Sequence, residues 1–164
     1  MVYIQYPPVS TAVKNNDQSI CMPQHIVTCD FLERYNNTKN ISYFMKLQKI
    51  AWGITGAGHF LNESYEVFKE IKLKDRNIRI NTFISSASEE VLRMYGLENK
   101  LVKLSGGDYL EEIFLESEQG KSSPKAGRFL LGKYDAFFIT PVTSNTASKI
   151  AYGVADSLIT NAVA

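Results

Sequence analysis

The run KIAWGI at Lys49–Ile54 is short and apolar and leads into glycines, which predicts a strand buried on both faces. Over residues 59–74, Phe60, Leu61, Tyr65, Val67, Phe68 and Ile71 recur at mostly helical spacings. Lys72 and Lys74 fall in the last turn of that helix, where cations suit its dipole. Residues 78–84 alternate and are rich in β-formers, giving a second strand; Ser86–Tyr95 reads as a helix closed by Gly96, and 101–104 as a short third strand. A further helix is expected over 108–117. The polar loop EQGKSSPKAG follows, and then a strand over 134–140 whose only charge is Asp135.

Strands alternating with helices imply right-handed crossovers and a parallel sheet covered on both sides. The expected fold class is therefore α/β, a Rossmann-like three-layer sandwich. The ending SLITNAVA has no glycine cap or closing strand, and four strands make a thin sheet, so the domain reads as truncated at its C-terminus. The pattern also divides the chain. Residues 1–44 carry Pro7, Pro8 and five Asn without a sustained period, and read as an atypical N-terminal extension of low order or an arm that packs on a partner. Residues 45–164, opening on MKLQKIAWGITGAG, read as one domain.

Eighteen Lys and Arg against seventeen Asp and Glu leave a formal charge of +1, which gives no broad footprint for nucleic acid or an anionic membrane. No apolar run approaches the roughly 18 residues of a spanning helix, and MVYIQYPPVS lacks the order of a secretory signal; a cytoplasmic location is the default. Cys21 and Cys29 are the only cysteines, too few for a four-ligand metal or iron–sulfur site, and read as free thiols. No metal is expected, and the chain must work with an organic cofactor or none.

In an open parallel sheet, ligands gather at the carboxyl ends of the strands, which singles out three loops. The first, GITGAGHF, holds Thr55, Gly56, Ala57, Gly58 and His59; its glycines let the backbone turn sharply and approach an anion or a flavin edge. Its spacing is not the dinucleotide fingerprint, and the second strand ends in Ser85 and Ser86 where an adenosine ribose would call for a carboxylate. With Ser88, these hydroxyls suit a phosphate beside a helix N-terminus, favouring a mononucleotide over NAD; they equally suit plain capping, with Glu89 as a capping-box partner. The third loop sets Pro141 directly after the last strand, then Thr143, Ser144, Asn145 and Thr146 at a helix start. The Asn145 amide donates and accepts at once, as the alternating edge of a flavin ring requires.

The segment PVTSNT resembles the Pro-Ala-Ser-Ala-Asn-Thr motif of the homo-oligomeric flavin-containing cysteine decarboxylase superfamily, and GITGAGHF and FISSASEEV resemble its other two FMN loops. The resemblance covers about residues 45–164. It implies FMN as cofactor, backbone contacts from Gly56, Ala57 and Gly58, a phosphate on Ser85, and the ribityl chain and ring on Thr143 to Thr146. It also implies a homo-oligomer, a trimer or a dodecamer of trimers, with FMN between subunits.

The decarboxylases of that superfamily carry a His upstream of the third motif as the active-site base. Here KAGRFLLGKYDAFFITP has Gly127 and Arg128 and no His. The same stretch resembles the dihydromethanopterin reductases and archaeal flavoproteins. The implied activity is FMN-dependent oxidoreduction, with ferredoxin or nicotinamide as donor and a pterin-type acceptor; a non-catalytic electron carrier and a flavin prenyltransferase relative remain the alternatives. No residue is assigned a catalytic role. Lys121, Lys125 and Arg128 are candidates for an anionic pterin tail, a ferredoxin face or the reduced flavin, or form a solvated basic loop. Trp52 reads as core, and His25 takes no role.

Overall fold

A computed structural model describes residues 1–5, 26–28, 47–106 and 111–164. Cys21, Cys29 and His25 lie outside them. Six strands form one sheet in the order β2-β1-β6-β3-β4-β5. Four of these, β3 (Lys49–Ile54), β4 (Arg79–Ile84), β5 (Ile113–Leu115) and β6 (Ala136–Ile139), run parallel. Strand β1 (Val2–Gln5) lies antiparallel beside β6, and β2 (Ile26–Thr28) antiparallel beside β1. Both come from the stretch read above as an extension, and Val2 is buried in the core. Such short strands leave too few positions for a period to show. The remainder of that expectation lies outside the described residues.

The central strands are apolar on both faces because both faces are covered. Ile50, Trp52, Ile54, Ile80 and Ile84 point into one cluster with α1 (Leu61–Lys74), α2 (Ser86–Tyr95) and α3 (Glu98–Ser105). Ala51, Phe83 and Phe137 point into the other with α4 (Gly127–Leu130), α5 (Ser144–Ala151) and α6 (Leu158–Val163). This is the three-layer α/β sandwich expected. Trp52 is core, as read: its ring stacks on Phe68 with centroids 4.3 Å apart. Helix α2 begins and ends where predicted, capped by Ser85 and closed by Gly96 at φ 61°, a left-handed turn that glycine takes at little cost.

Two assignments change. Residues 101–104 are helical: Leu97, Leu101 and Leu104 are buried at steps of four and three while Val102 and Lys103 face out, so the run LVKL belongs to α3. The third parallel strand lies later, at Ile113–Leu115, inside the stretch expected to be helical over 108–117, whose residues 108–110 are outside the described set. Pairing with Thr82 to Ile84 and burial of Phe114 override the local pattern there.

Candidate flavin site at the carboxyl end of the sheet

Counted along the chain, the parallel strands lie in the spatial order third, second, first, fourth, so the order reverses between β3 and β6. Loops leaving these two strands flank the crevice where ligands of open α/β sheets bind. Thr55 stitches them together. Buried at 1% exposure, it donates from Oγ1 to the Pro141 carbonyl at 2.9 Å and accepts the Thr143 N–H at 2.8 Å, while its own N–H reaches Pro141 O at 3.3 Å. The Trp52 indole donates to Thr140 O at 2.7 Å, the Ser64 and Thr140 hydroxyls pair at 2.9 Å, and Thr140 N–H bonds Gly53 O. At about 1 kcal/mol net for each neutral bond, this seam is a rigid mount and not a pair of free loops.

The glycine loop also meets the second loop. A Cβ on Gly56 would stand 2.8 Å from the Ala87 Cβ in the first turn of α2, and one on Gly58 2.9 Å from the Tyr95 hydroxyl. Here glycine is needed for close approach. Ala57 N–H turns back to Thr55 O, whereas among the described residues the Gly56 and Gly58 N–H groups have no acceptor. His59 is exposed and set edge-on to Phe60, which is itself 55% exposed and left-handed at φ 62°. A bulky side chain rarely adopts that backbone, and strain of this kind clusters at binding sites. Phe60 drew no functional attention from its sequence, since it also fits the apolar stripe of α1.

The serines divide. Ser85 Oγ accepts the Ser88 N–H, so the capping reading holds for it; Ser88 is fully buried and its hydroxyl donates to Ile54 O at 2.8 Å, tying α2 to the end of β3. Only Ser86 is exposed, and its N–H and Oγ both bond a Glu116 carboxylate oxygen, at 2.8 and 3.0 Å. Glu116 was missed. It follows a three-residue strand in a stretch read as helix, and nothing in its neighbours signals the contact.

In the third loop, Pro141 is buried after a cis peptide bond and serves through its carbonyl. Thr143 caps α5, its Oγ1 accepting the Thr146 N–H and pairing with the Thr146 hydroxyl, so two of the four polar residues are used in capping. Ser144 and Asn145 stay exposed on the first turn, open to a ligand.

Arg128 is not gathered with these loops. Its guanidinium pairs with Glu112 at 2.6 Å and lies over the Phe114 ring, 4.6 Å from the centroid, with Glu112 just before the start of β5. Burial lowers the Arg128 pKa, but neighbouring Tyr134 and Glu112 outweigh it and leave the group above its ordinary value. Burial raises the Tyr134 phenol, against the opposing Arg128 charge, and among the described residues the phenol oxygen has no hydrogen-bond partner. Lys125 lies over the same Phe114 ring, and Lys121 is exposed. Among the described residues no cluster could hold a metal ion, and no helix is long and apolar enough to cross a membrane.

Residues 39–164 match the model of a family described as Flavoprotein. A dihydromethanopterin reductase (acceptor) from Methanosarcina mazei is 73% identical over 119 residues, covering 73% of this chain and 50% of the relative. Its namesake from Methanocaldococcus jannaschii is 50% identical over 116 residues, covering 71% and 47%. The chain thus spans about half the length of the curated relatives it matches. Among solved structures, Burkholderia xenovorans DmrB in complex with FMN, described as a cubic protein cage for redox transfer, superimposes with a TM-score of 0.57 at 35% identity, over 70% of this chain and 56% of that one. A dodecameric FMN-dependent Ubix-like decarboxylase from Escherichia coli O157:H7 shares the fold, with a TM-score of 0.53 at 15% identity, over 70% and 58%.

Proposed function

The chain belongs to the Flavoprotein family, and on that premise we propose that it binds FMN at the three-loop crevice and works as an FMN-dependent oxidoreductase of the dihydromethanopterin reductase kind. One observation carries the reading: Thr55 holds the glycine loop and the Asn145 turn edge to edge, while Gly56 sits against the first turn of α2. Three stretches far apart in sequence thereby meet at the carboxyl end of the sheet, the first and third of them flanking the topological switch point, which supports a shared site.

The residues fit such a cofactor. Gly56 and Gly58 offer uncommitted N–H groups in a cradle that a side chain would fill, Ser144 and Asn145 offer polar groups at a helix start, and Ser86 stands at the N-terminus of α2. FMN, when bound, supplies the redox chemistry; the chain's part is to bind it, orient it and set its surroundings. Thr55 and Trp52 hold the mount fixed, and exposed Phe60 and His59 border its entrance. Arg128, committed to Glu112 and Phe114, is a structural ion pair within this chain, which leaves any contact from Arg128 to flavin to an assembled neighbour.

The same proposal extends to assembly. Leu130 and Tyr152 are 89% and 85% exposed, and the solved relatives described as a cubic cage and a dodecamer support a homo-oligomer, here proposed to be built on trimers. Residues 45–164 would form the FMN domain, in the cytoplasm, with ferredoxin or a nicotinamide as donor and a pterin as acceptor. The test is to purify the full chain and record its visible spectrum with and without added FMN, then supply donor and dihydropterin acceptor in turn. Flavin absorbance that persists through gel filtration, and bleaches on reduction, is the expected result; a colourless protein that refuses FMN ends the proposal.

A further inference from the structure

The first turn of α2 already holds an anion, and that anion belongs to the chain. Glu116 Oε2 accepts from both the N–H and the hydroxyl of Ser86, at 2.8 and 3.0 Å, and Oε1 accepts the Leu158 N–H at the start of α6 at 2.6 Å. The carboxylate therefore bridges the N-termini of two helices, where partial positive charge stabilises it. Among the described residues no Lys or Arg pairs with it, so helix-end donors alone offset its charge. The other hydroxyls of the turn are spent on the protein itself: Ser85 caps, and Ser88 is buried against Ile54 O. Of the first-turn donors left to a phosphate, the Ser86 N–H and hydroxyl are already occupied by Glu116, which leaves the Ala87 N–H.

We propose that Glu116 is a specificity-determining residue of the flavin site, its carboxylate competing with the flavin phosphate for the first turn of α2. The inference rests on the reading that flavin binds at these loops. Two anions cannot share the Ser86 donors without strong like-charge repulsion at hydrogen-bond range. FMN entry therefore moves the carboxylate off Ser86, and the same movement loosens its bond to Leu158. Riboflavin has no phosphate and leaves the bridge in place. Glu116 thus weakens FMN relative to riboflavin, and it couples phosphate occupancy to the start of α6.

The test compares FMN and riboflavin binding to the full chain and to Glu116→Gln by flavin fluorescence titration. Glutamine has a single acceptor oxygen, so it can take the Leu158 N–H or the Ser86 donors but not bridge both, and it removes the charge. The expected result is FMN binding tighter by on the order of tenfold in Glu116→Gln, with riboflavin changed by less than about twofold. Equal weakening of both flavins shows that the carboxylate merely positions the loops, and no change in either shows that it does not meet the phosphate; both overturn the proposal. A second readout needs no variant: the Leu158 amide resonance should shift with FMN and stay put with riboflavin. Indifference of that amide to FMN overturns the competition even where Glu116→Gln does not fold. Should neither flavin bind either protein, the flavin reading itself falls and takes this inference with it.

Discussion

At the amino end of the parallel strands, Lys49, Lys72, Arg76 and Arg79 line a cleft of about 510 Å³ with Gln48, Asn77 and Glu111, and the Lys72 ammonium pairs with the Glu111 carboxylate. At the carboxyl end, the groups around the crevice are hydroxyls, backbone amides, one asparagine amide, the His59 imidazole, the Phe60 ring and a carboxylate, without a Lys or Arg among them. A search for positive charge would send a phosphorylated cofactor to the first of these. Topology sends it to the second, because helix N-termini and glycine N–H groups supply directed donors where side-chain charge supplies only a diffuse field. On the proposed reading, the difference teaches that an anion in this fold is recognised by backbone placement more than by formal charge.

The sharpest way to break that contrast is to fill the cradle. Gly56→Ala puts a methyl 2.8 Å from the Ala87 Cβ, and overpacking against the helix should weaken FMN binding by roughly ten- to a hundredfold, read by fluorescence titration. Adding Ala87→Gly should restore most of the loss; a double variant no better than Gly56→Ala would show that the contact is not the cause. Next comes the seam. Thr55→Val removes a donor to Pro141 O and strands the half-buried Thr143 N–H, and should cost about 1–3 kcal/mol in urea unfolding together with looser FMN. An unchanged unfolding midpoint would mean that the two loops do not depend on each other.

The amino end should respond far less. Replacing Arg76 and Arg79 together by Gln is expected to shift FMN affinity by less than about twofold, since both side chains lie away from the loops; a large loss would move the site to the cationic cleft. The smallest effect concerns the exposed Lys149–Asp156 pair beside α6, at 2.6 Å, where the hydrogen bond from Lys149 holds the Asp156 pKa below its ordinary value. A depressed carboxyl stabilises the fold above its unfolded pKa, and that contribution fades as pH falls through the folded value. Asp156→Asn should therefore flatten a slight loss of stability below about pH 4, measured by thermal melts across the acid range.

Much of this was open to reading before any coordinates. Strand β3, helix α1, strand β4, helix α2 and strand β6 each announce themselves through an apolar run or a period bounded by a cap or glycine, and their alternation fixes the α/β class. The glycine loop, the capping serines and the Asn145 turn were legible because each depends on local backbone chemistry. Strands β1, β2 and β5 were not, since three or four residues carry no period and take their conformation from the strands they pair with.

By itself the sequence determined which segments are helix or strand where a pattern runs several turns, and which loops carry glycines, capping hydroxyls and an asparagine amide after a strand. Only the tertiary structure decided which of those groups are free: it buried Ser88, committed Arg128 to Glu112, joined two loops through Thr55 and brought Glu116 across from β5 to the start of α2. The physical reason is that periodicity and capping act within a few residues of the chain. Hydrogen bonds spanning 30 to 88 residues are set by strand order, which no local window contains.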